Sequence, residues 1–159
     1  MIRKAPNFEL FDQDGVIRKL KDYAGNWLVV FFYPMDGSVN CTREACAFRD
    51  EHEIIGQFGN AEVVGINKGS VAGHKKFANR NHLNFPLLSD PSREVTKAYL
   101  AWRTGHARSI FDRAFGTRRN TYIVNPDGEI VQEFLGVKPF NHVDDVIHSL
   151  QSLQNLVKS

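Results

Sequence analysis

Residues 28–50 read LVVFFYPMDGSVNCTREACAFRD. The first six, Leu28 to Tyr33, form a continuous apolar run rich in β-branched and aromatic side chains. A run that short and that uniform marks a strand covered on both faces, the kind found in parallel sheets. Pro34 ends it, because proline has no N–H for a central ladder. A helix is expected next, over residues 42–58, and then a second buried strand, AEVVGI, at 61–66. Buried strands alternating with helices mean α/β layers.

Working outward, Phe8 and Leu10 precede, and Val16 and Leu20 follow, an Asp14-Gly15 pair, which predicts a hairpin turning at that pair. Ser70 is placed to cap a helix reaching residue 81, with Phe77 and Ala78 on its inner face. A short strand at 86–88 and a helix at 92–100 come next. Strands at 121–124 and 129–135 flank Asn125-Pro126-Asp127-Gly128, which is dense in turn-forming residues. A last helix is expected from Asn141, with Asp144 and Asp145 favourable in its first turn. Val143, Val146, Ile147, Leu150 and Val157 give it one apolar stripe. The stretch 101–119, with Gly105 and Gly116, is the one long irregular segment, and such loops are usually functional or mobile.

The chain has 159 residues, 42% hydrophobic and 24% charged, with 20 basic and 18 acidic side chains. That length suits one domain, here residues 1–159, and composition near the globular average argues against disorder. A net charge of +2 does not by itself point to nucleic acid or a membrane surface. Residues 103–119 hold five arginines and one aspartate, but Phe111 and Phe115 are their only aromatics, and a solvated loop accounts for them better than nucleic-acid binding. The longest apolar run falls well short of the ~20 residues that span a bilayer. MIRKAPNFEL has charge without an apolar stretch behind it, unlike a secretory signal. A cytoplasmic protein is expected.

Two cysteines are too few for a disulfide scaffold. Cys41 falls just beyond the buried strand, near the start of the following helix, where unpaired N–H groups and the helix dipole favour a thiolate. Positions 41, 45, 48, 52 and 55 (Cys41, Ala45, Phe48, His52, Ile55) lie at helical spacing and should face the sheet. Cys46 shares its side with Arg49, Asp50 and Glu53 and should sit near the outer surface. On one helix the two α-carbons would stand roughly 8–9 Å apart, beyond the ~7 Å limit of a disulfide; a Cys41–Cys46 bond would require the first turns to unwind. A zinc site lacks the C-x2-C spacing and a matching histidine pair. A thioredoxin-type dithiol is disfavoured by the C-x4-C spacing. Two unrelated structural thiols remain the bland alternative.

Pro34, Ser38 and Cys41 fit the peroxiredoxin signature P-x3-(T/S)-x2-C. TREACAFRD, with its second cysteine, resembles the bacterioferritin comigratory protein or PrxQ subgroup. The likeness extends through APNFEL, HKKFANRNHLNFPLLSD and RNTYIVNPDGEI, nearly the whole chain. It implies a thioredoxin-like fold, a central mixed sheet flanked by helices with an N-terminal β-hairpin extension. It also implies thiol-dependent reduction of hydrogen peroxide and organic hydroperoxides, with no cofactor or metal. Cys41 then matches the peroxidatic cysteine and Cys46 the resolving one. Ser38 matches the hydroxyl that bonds the peroxide, Pro34 the residue shielding the pocket, and Arg119 the arginine meeting thiolate and peroxide. Glu44 matches a supporting acidic or amide position. The resemblance implies recycling by thioredoxin or a similar dithiol protein, and a monomer.

The chain departs from the subgroup at Val39-Asn40, where Pro-Gly is usual, at Gly37, where a bulky residue is typical, and at Met35, where lysine is common. Asn40 is a candidate helix cap. These departures bear on pocket shape and on how readily the helix start opens. Arg118 and Arg119 are alike in charge, and only the register of the match separates them. His52 reads as a satisfied core residue, and His74, His82, His106, His142 and His148 as surface residues. Trp102 either covers the site or anchors the preceding helix.

Overall fold

A computed structural model describes residues 2–102, 116–138 and 142–158. Its strands are β1 (Arg3–Lys4), β2 (Glu9–Phe11), β3 (Ile17–Lys19), β4 (Trp27–Phe32), β5 (Ala61–Asn67), β6 (Leu87–Ser89), β7 (Thr121–Val124) and β8 (Glu129–Phe134). The helices are α1 (Val39–Gly59), α2 (Val71–Asn81), α3 (Glu94–Ala98) and α4 (His142–Lys158). The strands form one sheet in the order β1-β8-β7-β4-β5-β6-β2-β3. β4 lies parallel to β5 and antiparallel to β7, so the sheet is mixed.

Every residue of β4 is buried, because its alternate side chains enter two separate cores. Trp27, Val29 and Phe31 join Phe48 of α1 and Val146 and Leu150 of α4 on one face. Leu28, Val30 and Phe32 meet Phe8, Val95, Tyr99 and Tyr122 on the other. That two-sided burial is why the run is uniformly apolar rather than alternating. Phe31 stacks on Phe48 with ring centroids 4.6 Å apart. Its strand partner is Gly65, where an added Cβ would fall 2.8 Å from the Phe31 ring. Only glycine leaves the ring its place.

The hairpin of β2 and β3 turns where the Asp14-Gly15 pair places it, with Gly15 at φ +75°. Buried Asp12 organises that turn by accepting from the backbone N–H groups of Asp14 and Val16 and from Arg18 Nε. Ser70 caps α2 by accepting from Gly73 N. The larger differences from the sequence reading are three. α1 begins at Val39 with Ser38 as its cap, three residues before the expected start, and Asn40 lies inside the first turn. α3 is shorter than expected, because the backbone passes through a left-handed residue at Arg93 before it can begin. β1 has no counterpart in the reading, since two residues bonded only to β8 carry no periodicity. The expected start of the last helix at Asn141, the Val157 side chain and residues 103–115 lie outside the described residues. No helix among the described residues is long and apolar enough to cross a membrane.

Candidate active site

The N-terminus of α1 emerges from the end of β4 through the loop Pro34–Ser38. Gly37 adopts φ +83° there, a left-handed conformation that glycine enters without steric cost. Ser38 Oγ accepts from Cys41 N at 3.1 Å, and Ser38 O accepts from Thr42 N and Thr42 Oγ1 at 2.9 and 2.7 Å. The cap therefore satisfies the N–H of Cys41 and sets that residue in the first turn, and a hydroxyl that accepts keeps its own proton to donate. Cys41, Ala45, Phe48 and Ile55 are buried along the inner stripe, and Cys41 is only 1% exposed. Pro34 is half-buried at the base of the loop.

Arg119 reaches this thiol from just ahead of β7. Its carbonyl accepts from Val137 N at 2.9 Å, and the next residue, Asn120, accepts from Phe32 N through its carbonyl and from Gly136 N through its side chain. Held by those bonds, the guanidinium donates through Nη2 to Cys41 Sγ at 3.2 Å and through Nη1 to Glu44 Oε1 at 2.9 Å. The planar fork thus spans sulfur and carboxyl at once, which a lysine ammonium does not. Burial acts to lower the ionisation range of Arg119, but the charges of Glu44 and Cys41 prevail and raise it. Neighbouring Arg118 is exposed, its backbone N–H bonded to Ala101 O. The structure separates the two arginines that composition does not.

Glu44 is fully buried, one turn beyond Cys41. Burial pushes its carboxyl up to about 7, against the opposing charge and hydrogen bond of Arg119. Its second oxygen, Oε2, is buried without a hydrogen bond and lies 3.4 Å from His142 Nε2. That nitrogen shares a 2.8 Å hydrogen bond with Thr121 Oγ1. His142 is 4% exposed, and burial pushes its imidazole down to about 4, against Asp145 and with Arg119.

A second polar cluster underlies the loop. Asp36 accepts from Tyr33 Oη at 2.7 Å and Asn67 Nδ2 at 3.3 Å through Oδ1, and its Oδ2 lies 2.6 Å from His74 Nδ1. The other nitrogen of His74 bonds Leu88 O at 3.2 Å. The surface placement expected for His74 and His142 is therefore wrong: both rings are buried, because each has buried hydrogen-bond partners. His74 lies three and four residues before Phe77 and Ala78, and His142 lies four before Val146, so helical spacing held the signal. His82 and His148 are exposed, and His106 lies outside the described residues. His52 is partly buried, with Nε2 3.2 Å from Glu62 Oε2.

Cys46 sits farther along α1 and is half-buried. Its thiol lies 3.8 Å from Asn81 Oδ1, at the end of α2, and accepts from Arg49 Nη1 at 3.6 Å. Trp102 packs over Gly116 and beneath Arg93 and Lys97, so it anchors the segment around α3. Among the described residues no cluster of His, Cys, Asp and Glu is placed to hold a metal ion.

A buried cysteine in the first turn of a helix, set at the end of a central strand and faced by an arginine, defines a thiol-based enzyme of thioredoxin-like architecture. The model of the AhpC/TSA family matches residues 1–133, and the chain belongs to that family. It is 32% identical to Peroxiredoxin Bcp of Bacillus subtilis, over 95% of this chain and 94% of that one. It is 39% identical to the chloroplastic Peroxiredoxin Q of Oryza sativa subsp. japonica, over 94% of this chain and 65% of the longer plant protein. The bacterioferritin comigratory protein of Xanthomonas campestris superposes with a TM-score of 0.85 at 27% identity, covering 92% of each chain. The fold is that of a thioredoxin-like peroxiredoxin, and the activity of the family is that of a thiol peroxidase.

Proposed function

We propose that the chain reduces hydrogen peroxide and organic hydroperoxides through Cys41, with Cys46 resolving the product as an intramolecular disulfide. The observation that carries this reading is the 3.2 Å contact of Arg119 with Cys41 Sγ. A fixed cation against the sulfur supports the thiolate and the negative charge that develops on the peroxide. The Cys41 thiolate attacks one peroxide oxygen, an S–O bond forms, and the O–O bond breaks. The departing alkoxide or hydroxide takes a proton and leaves as alcohol or water, and Cys41 becomes a sulfenic acid. Ser38 donates its hydroxyl proton to the peroxide, Pro34 shields the pocket floor from water, and Glu44 orients Arg119.

The thiol of Cys46 then attacks the sulfenic sulfur, expelling water and forming the S–S bond. Both residues lie on α1, so its first turn opens, breaking the bonds from Cys41 and Thr42 to Ser38. Melting one turn at a helix end costs far less than global unfolding. The half-exposure of Cys46 supports access by thioredoxin or a similar dithiol protein, which takes up the disulfide by two successive exchanges. The enzyme acts as a monomer in the cytoplasm.

The test is stoichiometric. Reduced protein receives one equivalent of hydrogen peroxide, and free thiols are counted in the parent, Cys41→Ser and Cys46→Ser. Rapid loss of two thiols in the parent, none in Cys41→Ser, and a trappable sulfenic acid in Cys46→Ser are the expected results. Thiols reacting only as slowly as free cysteine would overturn the reading.

A further inference from the structure

The peroxidatic machinery as described ends at Glu44, yet Glu44 has a second, unbonded oxygen aimed away from Arg119. From the His142–Glu44–Arg119–Cys41 geometry we infer that His142 is a positioning residue: oriented by Thr121, it supports the Glu44 carboxylate and so holds Arg119 on Cys41. This rests on the peroxidase reading and extends it to a helix that contributes nothing to the cysteine motif.

The chain of contacts is continuous. Sulfur to guanidinium is 3.2 Å, guanidinium to carboxyl 2.9 Å, carboxyl to imidazole 3.4 Å and imidazole to hydroxyl 2.8 Å. Glu44, Thr121 and His142 are all buried. Near pH 7 the Glu44 carboxyl exchanges between neutral and ionised forms. Only the ionised form grips a guanidinium through a charge-assisted bond. A buried carboxylate with one oxygen unsupported is costly, and His142 Nε2 is the polar atom within reach of that oxygen. To support the carboxylate that nitrogen carries its proton, so Thr121 Oγ1 accepts from it and Glu44 Oε2 shares the same N–H. The titratable and charged groups facing this pair are Cys41 on α1, Tyr33 beyond β4, Arg119 ahead of β7, and Asp145 on α4.

Packing separates this role from a structural one. The His142 ring lies edge-on to Phe48 at 6.1 Å and Phe134 at 5.9 Å. His142→Phe keeps an aromatic ring in that slot and removes only the nitrogens. His142→Gln gives up the ring and restores a polar atom at similar reach.

The experiment follows the Glu44 carboxyl by carbon-13 NMR in glutamate-labelled protein, assigned with Glu44→Gln. The rate of Cys41 oxidation by hydrogen peroxide is measured in parallel from pH 5.5 to 9 and divided by the rate of alkylation with iodoacetamide. In His142→Phe the Glu44 midpoint is expected to rise by about one unit. The normalised oxidation rate at pH 7 should then fall about fivefold, as the ionised fraction drops from about a half to a tenth. It should recover toward the parent rate by pH 9, and His142→Gln should return the midpoint most of the way. A folded His142→Phe with the parent's Glu44 midpoint overturns the inference, as does a rate lowered equally at every pH. A parent that never oxidises rapidly at Cys41, with the Glu44 shift still present, overturns the peroxidase reading and leaves the His142 coupling standing.

Discussion

Cys41 and Cys46 lie on one helix, five residues apart, yet their surroundings have little in common. Cys41 is buried in the first turn, faced by Arg119 and backed by a closed polar chain through Glu44 to α4. Cys46 is half-buried, and its nearest polar atoms belong to Arg49 and to the end of α2. The first setting fixes charges around one buried sulfur. The second leaves a sulfur partly open to solvent. Helix spacing alone creates this division, because a step of five residues turns the side chain from the inner stripe to the outer side.

The largest expected effect comes from the two sulfurs themselves. Cys41→Ser should abolish peroxide-driven thiol loss, whereas Cys46→Ser should keep the first oxidation and lose only the disulfide; mass spectrometry of the trapped product distinguishes the two. Equal losses would erase the contrast. Next in size, Arg119→Lys keeps a charge but loses the fork that spans Cys41 and Glu44. Oxidation by peroxide should slow about a hundredfold, with the exchange rate of Cys46 unaltered. Asp36→Ala leaves Tyr33 Oη and His74 Nδ1 without their partly buried partner. It should cost about 2 kcal/mol in urea unfolding.

The acid–base behaviour sharpens the comparison further, since Glu44 and His142, both shifted by burial, lie on the Cys41 side. Glu44 is raised from 4.5 to about 7, so the folded protein holds a proton that the unfolded chain releases. Its contribution is full below pH 4.5 and is lost as pH rises toward 7. His142 is lowered from 6.5 to about 4, so its contribution is full above pH 6.5 and is lost as pH falls toward 4. Between about pH 4.5 and 6.5 the two slopes, each about 1.4 kcal/mol per unit, oppose one another. Stability should fall with rising pH in His142→Phe and increase with it in Glu44→Gln, by urea titration across that window. Parallel slopes in both variants would break the pairing. The smallest effect belongs to Arg49→Ala, expected to slow formation or reduction of the disulfide a few-fold while leaving peroxide oxidation of Cys41 unchanged in stopped-flow traces.

Much of this was legible in the residues. The two-sided burial of β4, the inward stripe of α1 and the outward lean of Cys46 all follow from apolar periodicity, which burial enforces directly. The hairpin and the Ser70 cap follow from local turn and cap chemistry. The helix start is ambiguous in the sequence because Ser38 and Asn40 are both good caps, and the choice depends on the loop geometry that Gly37 permits. The pairing of Arg119 with Cys41 and Glu44 joins residues far apart in sequence, and no periodicity encodes it. The buried histidines do not stand out in the sequence, because their polarity points outward while their spacing from Phe77, Ala78 and Val146 points inward. A buried polar ring depends on a partner supplied by another element, here Asp36 for one and Thr121 for the other.

The ties on Asp36 have a mechanical consequence. Tyr33, Asn67 and His74 hold its carboxylate from three elements, only five residues ahead of Cys41. The Cys41–Cys46 disulfide proposed above requires the first turn of α1 to open, and a turn that opens must recover the same register afterwards. With Asp36 pinned, only the short tether from Gly37 onward is free to wander, and it returns to a fixed origin. Under that proposal the loop would act as a clamped spring whose reset position is stored in the sheet and α2.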